Sequence, residues 1–193
     1  MIARRGLLAL GLLPILPRPA HAGGQIEEPL ADSVRSALSG AIANDAPPRP
    51  VFDTIEDRLA YLGWLGAASE QLKRREAEHQ TRVEFLETLW YETKRAGLEP
   101  SLVLGLVQVE SGFRKYVVSS AGARGYMQVM PFWARLIGDG NASRLFHMQT
   151  NLRFGCVILR HFQDAESGNL GAALRAYHEQ AEGKFANLPK ASS

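Results

Sequence analysis

Three observations predict a mostly α-helical protein. Apolar residues recur at helical spacing in successive stretches, Pro and Gly punctuate the ends of those stretches, and alternation suited to a strand is confined to two or three residues within 116–120. With 193 residues, 46% hydrophobic and 22% charged, the chain has enough apolar material for one domain with a modest extension, and disorder throughout is excluded.

Residues 1–22 read as an export signal. Arg4 and Arg5 form a basic start, 6–16 a short apolar core, and Ala20-His21-Ala22 an A-x-A cleavage site after Pro17 and Pro19. The apolar core is too short to span a bilayer, so no stable membrane anchor is expected and the location implied is periplasmic. Residues 23–50 form an amphipathic arm. Leu30, Val34, Leu38 and Ile42 fall four apart and suit a helix docked on the protein's own body, ended by the proline-rich 46–50.

A helical extension follows over 51–83. Asp53 with Glu56 three residues on has the form of a capping box, ahead of apolar Ile55, Leu59, Leu62 and Leu65. One long helical pattern then covers about 69–96. Its first half, 71–79, is mostly charged and reads as a solvated face; its second half carries Val83, Leu86, Leu89 and Trp90, and Gly97 supplies a stop. The body of the domain is placed at 84–178. There Pro100 opens a helix, a loop of small residues fills 119–125, and Pro131 starts a short helix through Leu136. Helices over about 151–165 and 170–177 complete it, the last with Leu170, Leu174 and Tyr177 on one face. A polar tail occupies 179–193.

The helix opened by Pro100 holds the chemical signal. Val103, Leu106, Val107 and Glu110 follow the i, i+3, i+4, i+7 spacing, which puts a lone acid on the face that should be buried. Burial disfavours a carboxylate, and so does the carbonyl end of the helix, with Gly112 as the residue just beyond the cap. Both raise the carboxyl pKa, the condition for a general acid near neutral pH.

Other chemistry lacks its residues. His21, His79, His147, His161 and His178 are scattered without metal-ligand spacing, so neither metal nor cofactor is expected. Ser119 and Ser120 lack a nucleophile-elbow context. Cys156, the only cysteine, sits in an apolar helical run and reads as packing. Losing residues 1–22 removes three arginines and no acid, which takes the formal charge from +2 to −1 and leaves no basic footprint for nucleic acid.

Several motifs in order resemble the soluble lytic transglycosylases, whose catalytic domain has a lysozyme-like fold. They are Glu110-Ser111 followed by Gly112-Phe113, Ser119 with Gly122-Ala123, and Gly125-Tyr126-Met127-Gln128-Val129-Met130-Pro131. Asn151 and Gly155 fit an N-x-x-x-G, and Ala176-Tyr177 fits the start of an A-Y-N, where His178 stands in place of the Asn. The resemblance implies glycan strands of peptidoglycan as substrate and Glu110 as a single acid/base. It also implies Ser111, Met127, Gln128 and Tyr177 as sugar-binding neighbours. Two departures stand out: Tyr126 replaces the usual Leu, and the tail from Glu179 does not look like the family's closing segment.

Two other readings compete. A hydrolase on the same fold would need a positioned water and a second acid, for which Asp139, Asp164 and Glu166 have no motif to recommend them. A non-catalytic glycan-binding module would fit the altered tail. The small size and lack of a binding repeat also suit a partner role beside an envelope-spanning secretion or flagellar apparatus.

Overall fold

The computed structural model describes residues 32–43 and 50–184. The signal at 1–22, most of the arm and the end of the tail lie outside the described residues. Seven α-helices and one 3₁₀ helix make up the described chain: α1 (Asp32–Ala43), α2 (Ile55–Leu72), α3 (His79–Arg95), α4 (Pro100–Glu110), α5 (Pro131–Ile137), the 3₁₀ helix Ala142–Phe146, α6 (Met148–Ala165) and α7 (Leu170–Ala181). Among the described residues β-structure is limited to single bridges, Val118 with Arg124 and Arg124 with Val129. The fold is mostly α, as the periodicity predicts.

Helix α6 is the centre, because α1, α3 and α7 all pack on it. Leu152, Cys156, Ile158 and Leu159 are fully buried along it. Burial pushes the Cys156 thiol far above its ordinary pKa, so the side chain packs as a small apolar group. One charged pair is also sealed inside. Arg153 of α6 reaches Glu92 of α3 at 3.0 Å through Nη2, and its Nη1 donates to the Ile42 carbonyl of α1 at 3.3 Å. The N-terminal helix is thus docked on the body, with Leu38 buried.

Three local expectations are corrected. The capping box of α2 is Thr54 with Asp57, one residue later than Asp53 with Glu56. Thr54 Oγ1 accepts from the Asp57 amide at 3.1 Å and donates to the Asp57 carboxylate at 2.8 Å. Behind it, Tyr61, Ala68 and Leu72 form the buried side of α2, while Ile55, Leu59 and Leu62 stay exposed.

The pattern over 69–96 is two helices with a turn between them. Residues 73–78 have no large apolar side chain to bury in a continuous helix, and Glu78 caps α3 by accepting from the Gln80 amide at 2.9 Å and from the Thr81 amide. Buried Arg82 closes the turn, donating to Ser69 Oγ at 2.9 Å and to the Glu76 and Ala77 carbonyls at 2.8 and 3.1 Å. The last helix runs one turn further than 177 and buries Ala173, Ala176, Tyr177, Gln180 and Ala181. Leu170, expected on that face, is exposed.

Candidate active site

Glu110 is the last residue of α4. Val103 and Val107 on the same stripe are fully buried, and they draw the Glu110 side chain in until only 3% of it is exposed. Ser111 caps the helix and Gly112 follows with φ 58°, so the chain reverses direction immediately after the acid. Phe113 also takes a left-handed φ, 65°, and its ring meets Phe85 edge-on at 5.9 Å. Desolvation raises the Glu110 carboxyl above its ordinary range. The nearby charge of Glu182 adds to this rise, and His178 opposes it through a hydrogen bond and its charge.

His178 is the residue that touches the acid. Its Nδ1 lies 3.0 Å from Glu110 Oε1, and its Nε2 faces Glu182 Oε1 at 3.6 Å. Sequence reasoning recorded His178 only as a departure from A-Y-N and missed this contact. The available signal was the ionisable side chain standing at a motif position where an amide is usual.

The loop 117–130, which follows the Glu110-Ser111 turn in the chain, is built largely from polar bonds. Asn151 of α6 holds it from below: Oδ1 accepts from the Met127 amide at 2.8 Å, and Nδ2 donates to the Arg124 and Leu145 carbonyls, each at 2.8 Å. One turn on, Gly155 leaves room for Met127, since a Cβ there would fall 2.7 Å from Met127 Cβ. Gly125 has φ 73° and sits so close to Asn151 that a Cβ would meet its Nδ2 at 2.6 Å. Asn151 and Gly155 therefore have a physical task, the seating of the loop, which their spacing as N-x-x-x-G did not reveal.

Of the four expected sugar neighbours, Met127 and Gln128 lie in this loop and Tyr177 bonds to it, Ser111 follows Glu110 at the end of α4, and all four are buried. Ser111 Oγ donates back to the Val107 carbonyl at 3.2 Å. Met127 is fully buried, and its carbonyl accepts from the Tyr177 hydroxyl at 2.8 Å. Gln128 takes φ 48° and donates through Nε2 to the Gly125 carbonyl at 2.9 Å. Each polar group is thus engaged within the protein. Ser119 joins the same loop to α7, accepting from the Ala123 amide at 3.0 Å and donating to the Ala181 carbonyl at 3.4 Å.

Asp139 and Asp164 lie in surface ion pairs, with Arg144 at 2.5 Å and with Arg160 at 2.7 Å. A large groove of about 1410 Å³ runs between the start of α2, α3 and the start of α6. It is lined by Tyr126, next to Met127, but not by Glu110. Burial, a helix end and an ionisable partner converge at Glu110, whereas size alone recommends the groove. Among the described residues no group of three His, Cys, Asp or Glu side chains is placed to hold a metal ion.

A mostly α, lysozyme-like fold with one buried acid at a helix end defines the class, and comparison with known proteins gives the family. The family model of the transglycosylase SLT domain matches residues 88–187. The chain belongs to this family. The match runs past 178, so the first part of the tail that looked foreign lies within it. The chain is also 31% identical over 167 residues to the membrane-bound lytic murein transglycosylase C of Actinobacillus pleuropneumoniae serotype 5b (strain L20), covering 82% of this chain and 44% of that protein. It is 38% identical over 94 residues to a transglycosylase of Enterobacteria phage PRD1, covering 46% of this chain and 34% of that protein. The chain thus spans less than half the length of these relatives.

Proposed function

We propose that the chain is a peptidoglycan lytic transglycosylase in which Glu110 is the single acid and base. The observation that carries this reading is the Glu110 carboxyl, almost sealed from water, raised in pKa by that burial, and set in the Glu110-Ser111 pair of a family whose relatives are named murein transglycosylases. In the proposed reaction protonated Glu110 donates to the oxygen of the β-1,4 bond between N-acetylmuramic acid and N-acetylglucosamine, and the C1–O bond breaks. The muramoyl N-acetyl oxygen takes the anomeric carbon in the interval. The Glu110 carboxylate then removes the proton of the sugar's own C6 hydroxyl, whose oxygen attacks C1 and frees the acetamido group. A 1,6-anhydro end results, Glu110 regains its proton, and no water is consumed.

One carboxylic acid suffices on this route, whereas most glycoside hydrolases need two. In this reading Ser111, Met127, Gln128 and Tyr177 shape the floor beneath the sugar, with glycan strands of peptidoglycan as the partner. The proposed setting is the cell envelope, reached by export through residues 1–22. Relatives named membrane-bound weigh against the expected lack of an anchor. Among the described residues no helix is long and apolar enough to cross a membrane. No described residue speaks for a secretion or flagellar apparatus as partner.

Mass spectrometry of muropeptides released from purified peptidoglycan tests the proposal, with Glu110→Gln beside the natural protein. Products one water lighter than reducing-end muropeptides, absent with Glu110→Gln, are expected. Ordinary reducing ends would establish the hydrolase reading instead. Glycan binding without release by the natural protein would establish the binding module.

A further inference from the structure

We propose that His178 is a positioning residue for the acid: its ring nitrogen fixes one oxygen of the Glu110 carboxyl, leaves the other to face the sugar, and its charge sets how far up the pH scale Glu110 keeps its proton. The proposal rests on Glu110 being the acid of the reaction.

Geometry carries it. His178 Nδ1 stands 3.0 Å from Glu110 Oε1, a normal hydrogen-bond distance. Among the described residues Oε2 makes no such bond. The imidazole bridges two environments, because the Glu110 side chain is 3% exposed and that of His178 is 49% exposed. On its far side Nε2 faces Glu182 at 3.6 Å, so the arrangement is carboxyl, imidazole, carboxylate. His178 of α7 and Glu182, the residue that caps its end one turn later, supply it, and α7 is held in place by Tyr177 in the core.

The charged and titratable groups around the pair are few. From α4 comes Glu110 itself; from α7 come Tyr177, whose hydroxyl is committed to Met127, and His178; just beyond α7 lies Glu182. Lys184 is drawn to Glu182 at 2.7 Å. With the proton on Glu110, the carboxyl donates to a neutral Nδ1. With the proton on His178, Nδ1–H donates to a Glu110 carboxylate, which is no longer an acid. Glu182 faces the far side of the ring, and its charge favours the first arrangement by raising Glu110.

Resupply of protons is not the task. In the proposed reaction Glu110 gives one proton to the leaving oxygen and recovers one from the C6 hydroxyl, so the account closes on Glu110 within a turnover. The effect of His178 is on the resting acid. An imidazole can carry a charge beside the Glu110 carboxyl, and an amide at this position cannot.

The test uses His178→Asn and His178→Ala in the full chain, with pH profiles of kcat/KM on purified peptidoglycan. An Asn side-chain nitrogen stands near the place of Nδ1 but cannot become a cation. His178→Asn is expected to keep the plateau rate and to move the basic limb upward by about one pH unit, the low end of what an opposite charge does at this range. His178→Ala also loses the hydrogen bond, and its plateau kcat is expected to fall about tenfold or more as the carboxyl loses its fixed orientation. A basic limb at the same pH in the natural protein and His178→Asn, or a plateau kcat unchanged in His178→Ala, would overturn the proposal.

Carbon-13 NMR of the Glu110 carboxyl reads the same coupling without turnover. Its titration midpoint is expected higher in His178→Asn than in the natural protein, and equal midpoints would sink the coupling. Loss of the catalytic reading would look different: Glu110→Gln would remain active, whatever the NMR midpoints did.

Discussion

The hydroxyl of Tyr177 donates to the carbonyl of Met127 at 2.8 Å, and the next residue, His178, holds the carboxyl of Glu110. One turn of α7 therefore holds both the loop at Met127 and the carboxyl of Glu110. The inward side chain does the first and the half-exposed one the second.

Tyr177→Phe separates those tasks. It keeps the ring in the core and deletes only the bond to Met127, leaving a buried carbonyl without its donor. A loss of about 1 kcal/mol is expected in urea unfolding, together with a lower kcat. Unchanged stability and rate would mean that the loop keeps its shape without α7.

Asn151→Ala strikes the same loop from α6. It strips the partner from the Met127 amide and from the Arg124 and Leu145 carbonyls at once. About 2–3 kcal/mol of stability is expected to go in urea unfolding, with turnover falling as the loop loses its seat. A midpoint equal to that of the natural protein would show that the glycines and Gln128 hold the loop by themselves.

Glu110 should cost stability as well as supply chemistry. Its carboxyl pKa is raised in the folded protein above the ordinary 4.5, with burial as the main cause. The folded state therefore binds this proton more tightly than the unfolded chain. The group's contribution is fully present below pH 4.5 and is lost as pH rises through the folded value. Glu110→Gln has no such loss. Its Tm relative to that of the natural protein should rise as pH climbs from 4.5 through the folded value. A Tm difference that stays constant over that range would contradict the raised carboxyl.

Much of this was legible in the chain. The stripe of Val103, Leu106 and Val107 placed Glu110 on the buried face, and Pro100, Pro131 and Gly97 marked helix ends that the structure keeps. What failed has physical reasons. The segment 73–78 looked helical because its residue types suit a helix, but propensity without a burying face yields to a turn once Arg82 and Glu78 can satisfy the free backbone groups. Leu170 looked like core by spacing, yet small Ala173 and Ala176 are the residues that let α7 approach α6. The His178 contact joins residues 68 apart in the chain. Local periodicity carries no information about such a pair.

Asn151 and Tyr177 follow Met127 in the chain by 24 and 50 residues. During synthesis the loop that carries Met127 therefore emerges well before either of the side chains that give it shape. A nascent chain that has passed Glu110 but not Tyr177 holds the acid without a floor beneath it and without the imidazole beside it. The surroundings of Glu110 are therefore complete only near the end of translation of the domain.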